Sequence, residues 1–357
     1  MLNHSSKIAI VGAGLCGSFL AYLLAKNNFS NLSLYEKRTL DDSKMLGKVC
    51  GGCLHHRAVD ILDSYELSRV IVPGTEIKRI SLVSAEHKVS FPLRHGKWVS
   101  RRLLDKGLRD AAIETGVPLY HSQVKILDSA RGLLSVDGRE VNFELIIYCG
   151  GIGGTGLCSW EEETRAGRGF GFQGILELKH AHSEALQDIQ PGEVRFLIDD
   201  EGYHGVVKVE GASPFLHVAS YLRGKNLKTS DFLNKHLSLE NLQERSATPP
   251  LQRKRVASQG RVFLCGDALG YPEPFSGEGM LYACESAVKF MKTLSHHAVS
   301  DMALFQLSAS WAAYVEATQK WQWQRCAWTT WGITTALKRR LLLPLAPYFA
   351  PVITRRW

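Results

Sequence analysis

Hydrophobic residues occur along the chain in two patterns that predict two kinds of sheet. Short apolar runs, typical of buried parallel strands, occur at KIAIV (7–11), ELIIYCG (144–150) and RVFLCGD (261–267). Residues 75–99 and 170–222 instead alternate polar and apolar positions, as half-exposed antiparallel strands do. We therefore expect an α/β (α+β) fold in which a parallel sheet and an antiparallel sheet are built from alternating parts of the chain.

Helices and further strands are expected between these runs. Apolar residues recur at helical spacing in SFLAYLLAKNN (18–28), and a strand, LSLYE (32–36), follows it. A second helix is predicted over residues 100–117, after which SQVKILD (122–128) is predicted to return to a core strand. The first strand, helix and second strand thus follow one another as in a dinucleotide-binding fold.

A glycine turn, GAGLCG (12–17), joins the first strand to the first helix. Gly12 permits the sharp turn, Gly14 lets the backbone approach a pyrophosphate, and Gly17 lets helix and strand pack closely. The free N–H groups at the start of the helix attract phosphate. Glu36, at the end of the second strand, would accept hydrogen bonds from a ribose. These features predict a dinucleotide site, and the turn alone does not separate NAD from FAD.

A second strand-to-helix turn lies far along the chain. RVFLCGD ends in Asp267, where a carboxylate can bind the ribityl hydroxyls of an extended FAD. Gly277 and Gly279 then open a helix whose N–H groups would stabilise the negative charge of a reduced flavin. The two turns are therefore predicted to hold opposite ends of one FAD.

Four motifs together resemble a known family: GAGLCG with YEK, KVCGG (48–52), RRLLD (101–105) and GDALGYPEPFSGEGM (266–280). From about residue 7 to about residue 300 the chain is similar to the geranylgeranyl-reductase-like flavoproteins of the p-hydroxybenzoate hydroxylase superfamily. The resemblance implies an FAD-binding Rossmann-type domain with an interleaved antiparallel-sheet substrate domain. The expected boundaries are 1–74, 99–160 and 258–300 for the FAD domain, 75–98 and 161–257 for the substrate domain, and 301–357 for a C-terminal helical segment.

By matching position, the resemblance implies a set of residues that contact FAD, with NADH or NADPH as the external reductant. This set is Gly12, Gly14, Gly17, Glu36, Lys37, Cys50, Gly51, Arg101, Val124, Gly266, Asp267, Gly277, Gly279 and Met280. For Arg101 the alternative is a solvated helix charge.

The chain departs from the family at two places. Cys149-Gly150 stands where many relatives have Asp-Gly, which puts direct docking of NAD(P)H in doubt. The prenyl reductases carry a Tyr-x-Trp-x-Phe-Pro stretch, of which this chain keeps only Tyr203. The sequence around Tyr203 and His204 is more similar to members that oxygenate aromatic or polyketide-type substrates. We take Cys50, Tyr203 and His204 as candidate catalytic residues.

Three functions remain open. The first is a monooxygenase that hydroxylates or epoxidises an apolar, aromatic or lipid-like small molecule through a C4a-hydroperoxyflavin. The second is an FAD-dependent reductase of isoprenoid C=C bonds. The third is a flavin-binding protein without turnover.

Cysteine usage indicates a reduced protein without a metal. Eight cysteines are scattered over 357 residues and do not form the pattern of a disulfide framework. Cys50 and Cys53 form a CxxC that could be half of a zinc site or a thiol pair, yet a second CxxC or a Cys/His cluster is missing from the sequence. We expect no metal site and, since the N-terminus lacks signal-peptide features, a cytoplasmic protein.

The basic charge is concentrated at the C-terminus. The chain carries a formal net charge of +8, and after Glu316 there are seven lysines and arginines and no acidic residue. Residues 341–353 are apolar but too short and too proline-rich to span a bilayer. The tail is interpreted either as a helical cap over the substrate pocket or as a contact with an anionic membrane surface. A nucleic-acid partner is not expected, because no binding motif accompanies the charge.

Overall fold

The computed structural model describes residues 2–37, 48, 50–71, 75–83, 88–151, 169–177, 188–198, 202–210, 215–223, 242–247, 256–269, 279–299 and 304–339. The strands are β1 (Ile8–Val11), β2 (Leu32–Glu36), β3 (Cys53–Leu54), β4 (Thr75–Val83), β5 (Lys88–Trp98), β6 (Leu119–His121), β7 (Val124–Asp128), β8 (Leu133–Val136), β9 (Arg139–Asn142), β10 (Leu145–Tyr148), β11 (Gly169–Glu177), β12 (Glu193–Ile198), β13 (Gly202–Val209), β14 (Phe215–Arg223), β15 (Leu242–Ala247), β16 (Ser258–Gln259) and β17 (Val262–Leu264). The α-helices are α1 (Leu15–Lys26), α2 (His56–Ser64), α3 (Arg101–Glu114), α4 (Gly279–Val299) and α5 (Leu304–Arg339), and short 3-10 helices span Ser68–Ile71 and Gly266–Leu269.

The apolar runs form a six-stranded sheet in the order β16-β17-β10-β1-β2-β6, which is parallel except for the pair of β16 and β17. All four residues of β1 are buried, and α1 packs between α3 and α4. Strand β1 has β2 on one side and β10 on the other, so the strand order reverses at β1. In open α/β sheets a ligand crevice lies outside the carboxyl ends of the strands at such a point.

The alternating segments form an eight-stranded sheet in the order β15-β11-β14-β13-β12-β4-β5-β3. Its neighbours are antiparallel except for β4 and β12, which run parallel with Ile80 opposite Val194. Strands β4 and β5 precede β10 in the chain, whereas β11 to β15 follow it, so the sheet is assembled from both sides of a parallel strand. The predicted mixed fold with interleaved sheets is confirmed, and the domain boundaries given above stay predictions.

The expectation of a core strand at SQVKILD was wrong. Strand β7 belongs instead to a separate three-stranded antiparallel sheet with β8 and β9. Val124 and Ile126 pack against a cluster that includes Tyr35, while Leu127 on the other face is 43% exposed. The alternation within VKILD is that of an amphipathic strand, and the apolar content alone suggested deeper burial.

The described beginning of α5 packs on the parallel-sheet side of the molecule. Trp311 is fully buried and donates a hydrogen bond from Nε1 to the carbonyl of Leu264, 3.1 Å away, at the end of β17. Gln319 donates to the carbonyl of Leu269 in the same way. Among the described residues, no helix is long and apolar enough to cross a bilayer. The basic residues after position 339 lie outside the described part of the chain.

Candidate functional site

The glycine turn after β1 leaves an open cradle between two places of very close backbone contact. Gly12 has φ +102°, and a Cβ there would lie 2.7 Å from the carbonyl oxygen of Cys149. A Cβ on Gly17 would lie 1.9 Å from the carbonyl oxygen of Gly12. A Cβ on Gly14, in contrast, would meet nothing within 4 Å, and Gly14 is the N-cap of α1 with no side chain occupying the cap. The turn therefore presents free helix N–H groups to open space, as phosphate binding requires.

Glu36 and Arg109 fix this turn from two sides. A carboxylate oxygen of Glu36 accepts a hydrogen bond from the Ala13 N–H at 2.9 Å. Arg109, on α3, donates from Nε to the carbonyl of Ala13 at 2.6 Å, and its guanidinium lies 3.7 Å from the Glu36 carboxylate. Both side chains are largely buried, so the acid expected to bind a ribose is held in place by a cation from another element.

A second charged group lies where the flavin end was predicted. Arg101 is buried and bonds Asp105 one turn along α3 at 2.9 and 3.3 Å, and its Nη1 lies 4.0 Å from Cys50 Sγ. Burial lowers the pKa of Arg101, but the charges of Asp105 and Asp267 outweigh it and raise the pKa above its ordinary value. The alternative of a solvated Arg101 is wrong, because the side chain is buried.

Asp267 stands at the carboxyl end of β17, as expected, and pairs with Lys48 at 2.8 Å. The charge of Asp267 raises the pKa of Lys48. The preceding residue, Gly266, has φ +62°, and a Cβ there would lie 2.8 Å from Cys16 Cβ, so the strand end is packed tightly onto α1. Gly279 and Met280 begin α4, whereas Gly277 lies outside the described residues.

The loop Cys50–Gly52 connects this charged group to the antiparallel sheet. The N–H of Cys50 donates to the side-chain oxygen of Gln173 on β11 at 3.1 Å, and the Gly52 carbonyl accepts from the Val99 N–H at 2.8 Å. A Cβ built on Gly51 would lie 3.8 Å from Cβ of Ala219 on β14. The loop is therefore held directly against one face of the sheet.

A buried histidine lies on that same face. Trp98 donates from Nε1 to Nδ1 of His217 at 2.9 Å, so the proton of the neutral ring is on Nε2. Burial lowers the pKa of His217 to about 4, against a smaller opposing effect of the Gly51 backbone. Nε2 of His217 makes no regular hydrogen bond among the described residues, although the Gly51 backbone lies close enough to oppose the effect of burial on the pKa. His217 is thus a buried N–H donor beside the Cys50–Gly52 loop.

The candidate catalytic residues Tyr203 and His204 are neighbours on β13. His204 is fully buried and pairs with Leu197 and Ser220. His217 pairs with Val207, three residues along β13, and side chains alternate between faces. His204 therefore points away from the Cys50–Gly52 loop. The side chain of Tyr203 lies outside the described part of the chain.

The other predicted contacts lie near the glycine turn. Val124 packs against the cluster that contains Val11 and Tyr35, and Lys37 is exposed just after β2. Sequence reasoning missed Arg109, Gln173, His217 and Lys48. For Arg109 a signal existed, because positions 101, 105 and 109 recur on one face of a helix.

A small apolar cavity of about 30 Å³ opens between α2 and the sheet, lined by Leu54, His55, His56, Ile80 and Phe196 among others.

Comparison with known proteins finds relatives in sequence and in fold. Residues 10–40 match the model of the NAD(P)-binding Rossmann-like domain. Kynurenine 3-monooxygenase of Stenotrophomonas maltophilia (strain K279a) is 24% identical over 342 residues, which cover 82% of this chain and 73% of that protein. Kynurenine 3-monooxygenase of Xanthomonas campestris pv. campestris (strain 8004) is 25% identical over 363 residues, covering 87% and 75%.

Solved structures share the fold at low identity. A geranylgeranyl bacteriochlorophyll reductase-like protein from Thermoplasma acidophilum has a TM-score of 0.67 at 16% identity, over 90% of this chain and 87% of that one. P. aeruginosa PqsL in complex with 2-aminobenzoylacetate has a TM-score of 0.67 at 12% identity, over 91% and 96%. The chain thus contains an NAD(P)-binding Rossmann-like domain within a mixed two-sheet fold that it shares with these proteins.

Proposed function

We propose that this protein is an FAD-dependent monooxygenase acting on a small aromatic or apolar substrate. The observation that carries the proposal is the position of the Cys50–Gly52 loop. Its cysteine thiol lies beside the buried Arg101 of α3, while its backbone is bonded to Gln173 of the antiparallel sheet. One loop therefore joins a dinucleotide site to the sheet that would cover a substrate.

The residues present fit the adenosine half of FAD. The space beside Gly14, where a Cβ would lie, is empty and adjoins the N-terminus of α1. This position suits a pyrophosphate. Glu36 accepts the Ala13 N–H, and a carboxylate can accept a ribose hydroxyl as well. Arg109 keeps that carboxylate oriented.

The residues present also fit the flavin half. Asp267 lies at a strand end from which its carboxylate can accept hydrogen bonds from ribityl hydroxyls. Nε of Arg101 is buried and lacks a partner among the described residues, which marks a donor left for a ligand. Gly279 begins α4, and the dipole of this helix favours negative charge at its N-terminus.

When bound, FAD supplies the transfer of electrons from NADH or NADPH and the activation of O₂. The chain positions the substrate and excludes water around it. His217 stays neutral at physiological pH and offers its Nε2–H to an acceptor such as a substrate carbonyl. Trp98 and Phe215, whose rings pack edge to face 5.9 Å apart, supply an aromatic surface on the same side of the sheet.

The relatives support the same reaction class. Two of them are named kynurenine 3-monooxygenases, and one structural neighbour holds 2-aminobenzoylacetate. We therefore place the substrate among small aromatic compounds that carry a carbonyl group. Contact of the basic C-terminal segment with an anionic membrane surface is a separate proposal, which sedimentation with anionic vesicles would test.

The test is to purify the protein, measure its bound FAD, and follow NADH and NADPH oxidation with and without aromatic amino-ketones. A monooxygenase consumes O₂ in proportion to product and is inactive without O₂. Turnover on an isoprenoid alkene under anaerobic conditions would instead show the reductase. A protein that binds FAD but is not reduced by any donor would support binding without turnover, and a protein that cannot be loaded with FAD would contradict the proposal altogether.

A further inference from the structure

The fold brings three cysteines together directly beneath the glycine turn, although they are far apart in the sequence. Cys16 lies in the first turn of α1, Cys149 follows β10, and Cys265 follows β17. Their sulfur atoms all lie within 4.8 Å of one another, and those of Cys16 and Cys265 are 3.5 Å apart. All three side chains are buried. We call this group the thiol cluster.

We propose that the thiol cluster is a binding site for one Cu(I) ion, held by three sulfur ligands. Sulfur atoms about 2.3 Å from a common ion in a trigonal plane lie about 4.0 Å from one another. The observed spacing is of this size, so an ion would require shifts of only some tenths of an ångström. The site is independent of the proposed reaction.

The donor set favours a soft monovalent ion. Thiolates select Cu(I) or Zn(II) over hard cations, and structural Zn(II) takes four ligands. Among the described residues the cluster contains no histidine or carboxylate. The nearest hydroxyl is that of Ser286, 3.5 Å from Cys265 Sγ, and it already accepts from the Gly266 N–H and donates to the Ala283 carbonyl. Within the described part of the chain, the cluster therefore offers no fourth ligand.

The surroundings also favour a metal over a disulfide. A disulfide would bring two sulfurs to about 2.05 Å, much closer than the 3.5 Å seen here. The backbone around the cluster is already packed, because Cβ atoms on Gly17 and Gly266 would lie 3.1 and 2.8 Å from Cβ of Cys149 and Cys16 respectively.

Three thiolates around one ion carry negative charge, and metal binding releases the thiol protons. The positive end of α1, beside Cys16, favours this negative charge.

The test uses the reduced, FAD-loaded full chain and Cu(I) supplied anaerobically as its bathocuproine chelate. We expect one tightly bound Cu(I) per chain. Cys149→Ala and Cys265→Ala should each weaken it at least 100-fold. Two matched controls should bind within threefold of wild type: Cys53→Ala, which breaks the CxxC pair, and Cys284→Ala, which removes a buried thiol outside the cluster.

X-ray absorption on the wild-type Cu(I) protein decides the question even where a cluster variant does not fold. Three sulfur neighbours at about 2.3 Å would support the proposal. Two sulfur neighbours, loss of binding in Cys53→Ala, unchanged binding in the cluster variants, displacement by equimolar Zn(II), or no binding at all would each overturn it.

Discussion

Two glycines of one turn, Gly14 and Gly17, should respond in opposite ways to the same added methyl group. A Cβ on Gly17 meets a backbone oxygen at 1.9 Å, while a Cβ on Gly14 meets nothing within 4 Å. The first site tests packing of the fold, and the second tests the space in which we place the pyrophosphate. The two alanine variants are therefore matched controls for each other.

For Gly17→Ala we expect a loss of unfolding free energy. Overpacking a well-packed site costs about 1–3 kcal/mol and occasionally more. The colliding atom is the carbonyl oxygen of Gly12, whose own conformation is fixed by contact with Cys149, so neither partner can move aside. We expect about 3 kcal/mol, measured by urea unfolding of the FAD-free protein.

For Gly14→Ala we expect nearly unchanged stability of the fold but weaker binding of FAD. Its φ of −79° suits alanine, and replacing a glycine N-cap with alanine costs at most about 1 kcal/mol. The methyl group would occupy the open cradle, so FAD affinity should fall at least tenfold, or about 1.4 kcal/mol. Fluorescence titration with FAD measures this loss. Wild-type FAD affinity in Gly14→Ala, or wild-type stability in Gly17→Ala, would refute the assignment.

Three further predictions concern the side chains around the site. Arg109→Met should lower the unfolding free energy by about 3 kcal/mol and weaken FAD binding, because it removes the cation beside the largely buried Glu36 carboxylate and the donor to the Ala13 carbonyl. Lys106→Met, which breaks an exposed ion pair on the same helix, should change stability by less than about 1 kcal/mol in the same urea series. Equal effects would contradict the role of Arg109. The pKa of His217 in the folded protein is about 4, below its ordinary value, so the unfolded chain binds a proton first as the pH falls. The unfolding free energy should therefore decrease by up to about 3 kcal/mol between about pH 6.5 and about pH 4. In His217→Asn this decrease should be smaller, and an identical pH profile would refute the buried neutral ring. Trp311→Phe removes the donor to the Leu264 carbonyl and should lower the unfolding free energy by about 1–3 kcal/mol in thermal or urea unfolding. The control Phe305→Ser, at a 71% exposed position, should have little effect. Unchanged stability in Trp311→Phe would mean that this hydrogen bond does not hold α5 to β17.

The sequence was most informative where chemistry is local. The positions of the three glycines of the first turn, of Glu36 and of Asp267 could be predicted, because each follows from a place within a strand, turn or helix start. Their roles toward a cofactor stay predictions. The interleaving of two sheets could also be predicted, since hydrophobic periodicity changes from continuous to alternating at each crossing. At SQVKILD a strand was predicted correctly, but this amphipathic strand was taken for a buried one.

Features that depend on pairing between distant segments could not be predicted. Gln173 and His217 reach the Cys50–Gly52 loop only through the register of β11, β14 and β5, which a single sequence does not specify. The three cysteines of the thiol cluster meet only because β10 and β17 are neighbours. In contrast, strand alternation alone could have shown that His204 and Val207 lie on opposite faces of the sheet.

The parallel pairing of β4 with β12 has a consequence for how the chain is made. Hairpin β4–β5 is complete when residue 98 emerges, but the partner of its free edge begins at Glu193, after the whole of β10. At about 5–20 residues per second the ribosome needs roughly 5–20 s to supply the residues between Trp98 and Glu193. During that interval the edge at Arg79–Val83 offers unpaired N–H and C=O groups to any other extended chain. Nascent or truncated forms ending before Glu193 should therefore aggregate or recruit chaperones, while the finished protein has this edge covered.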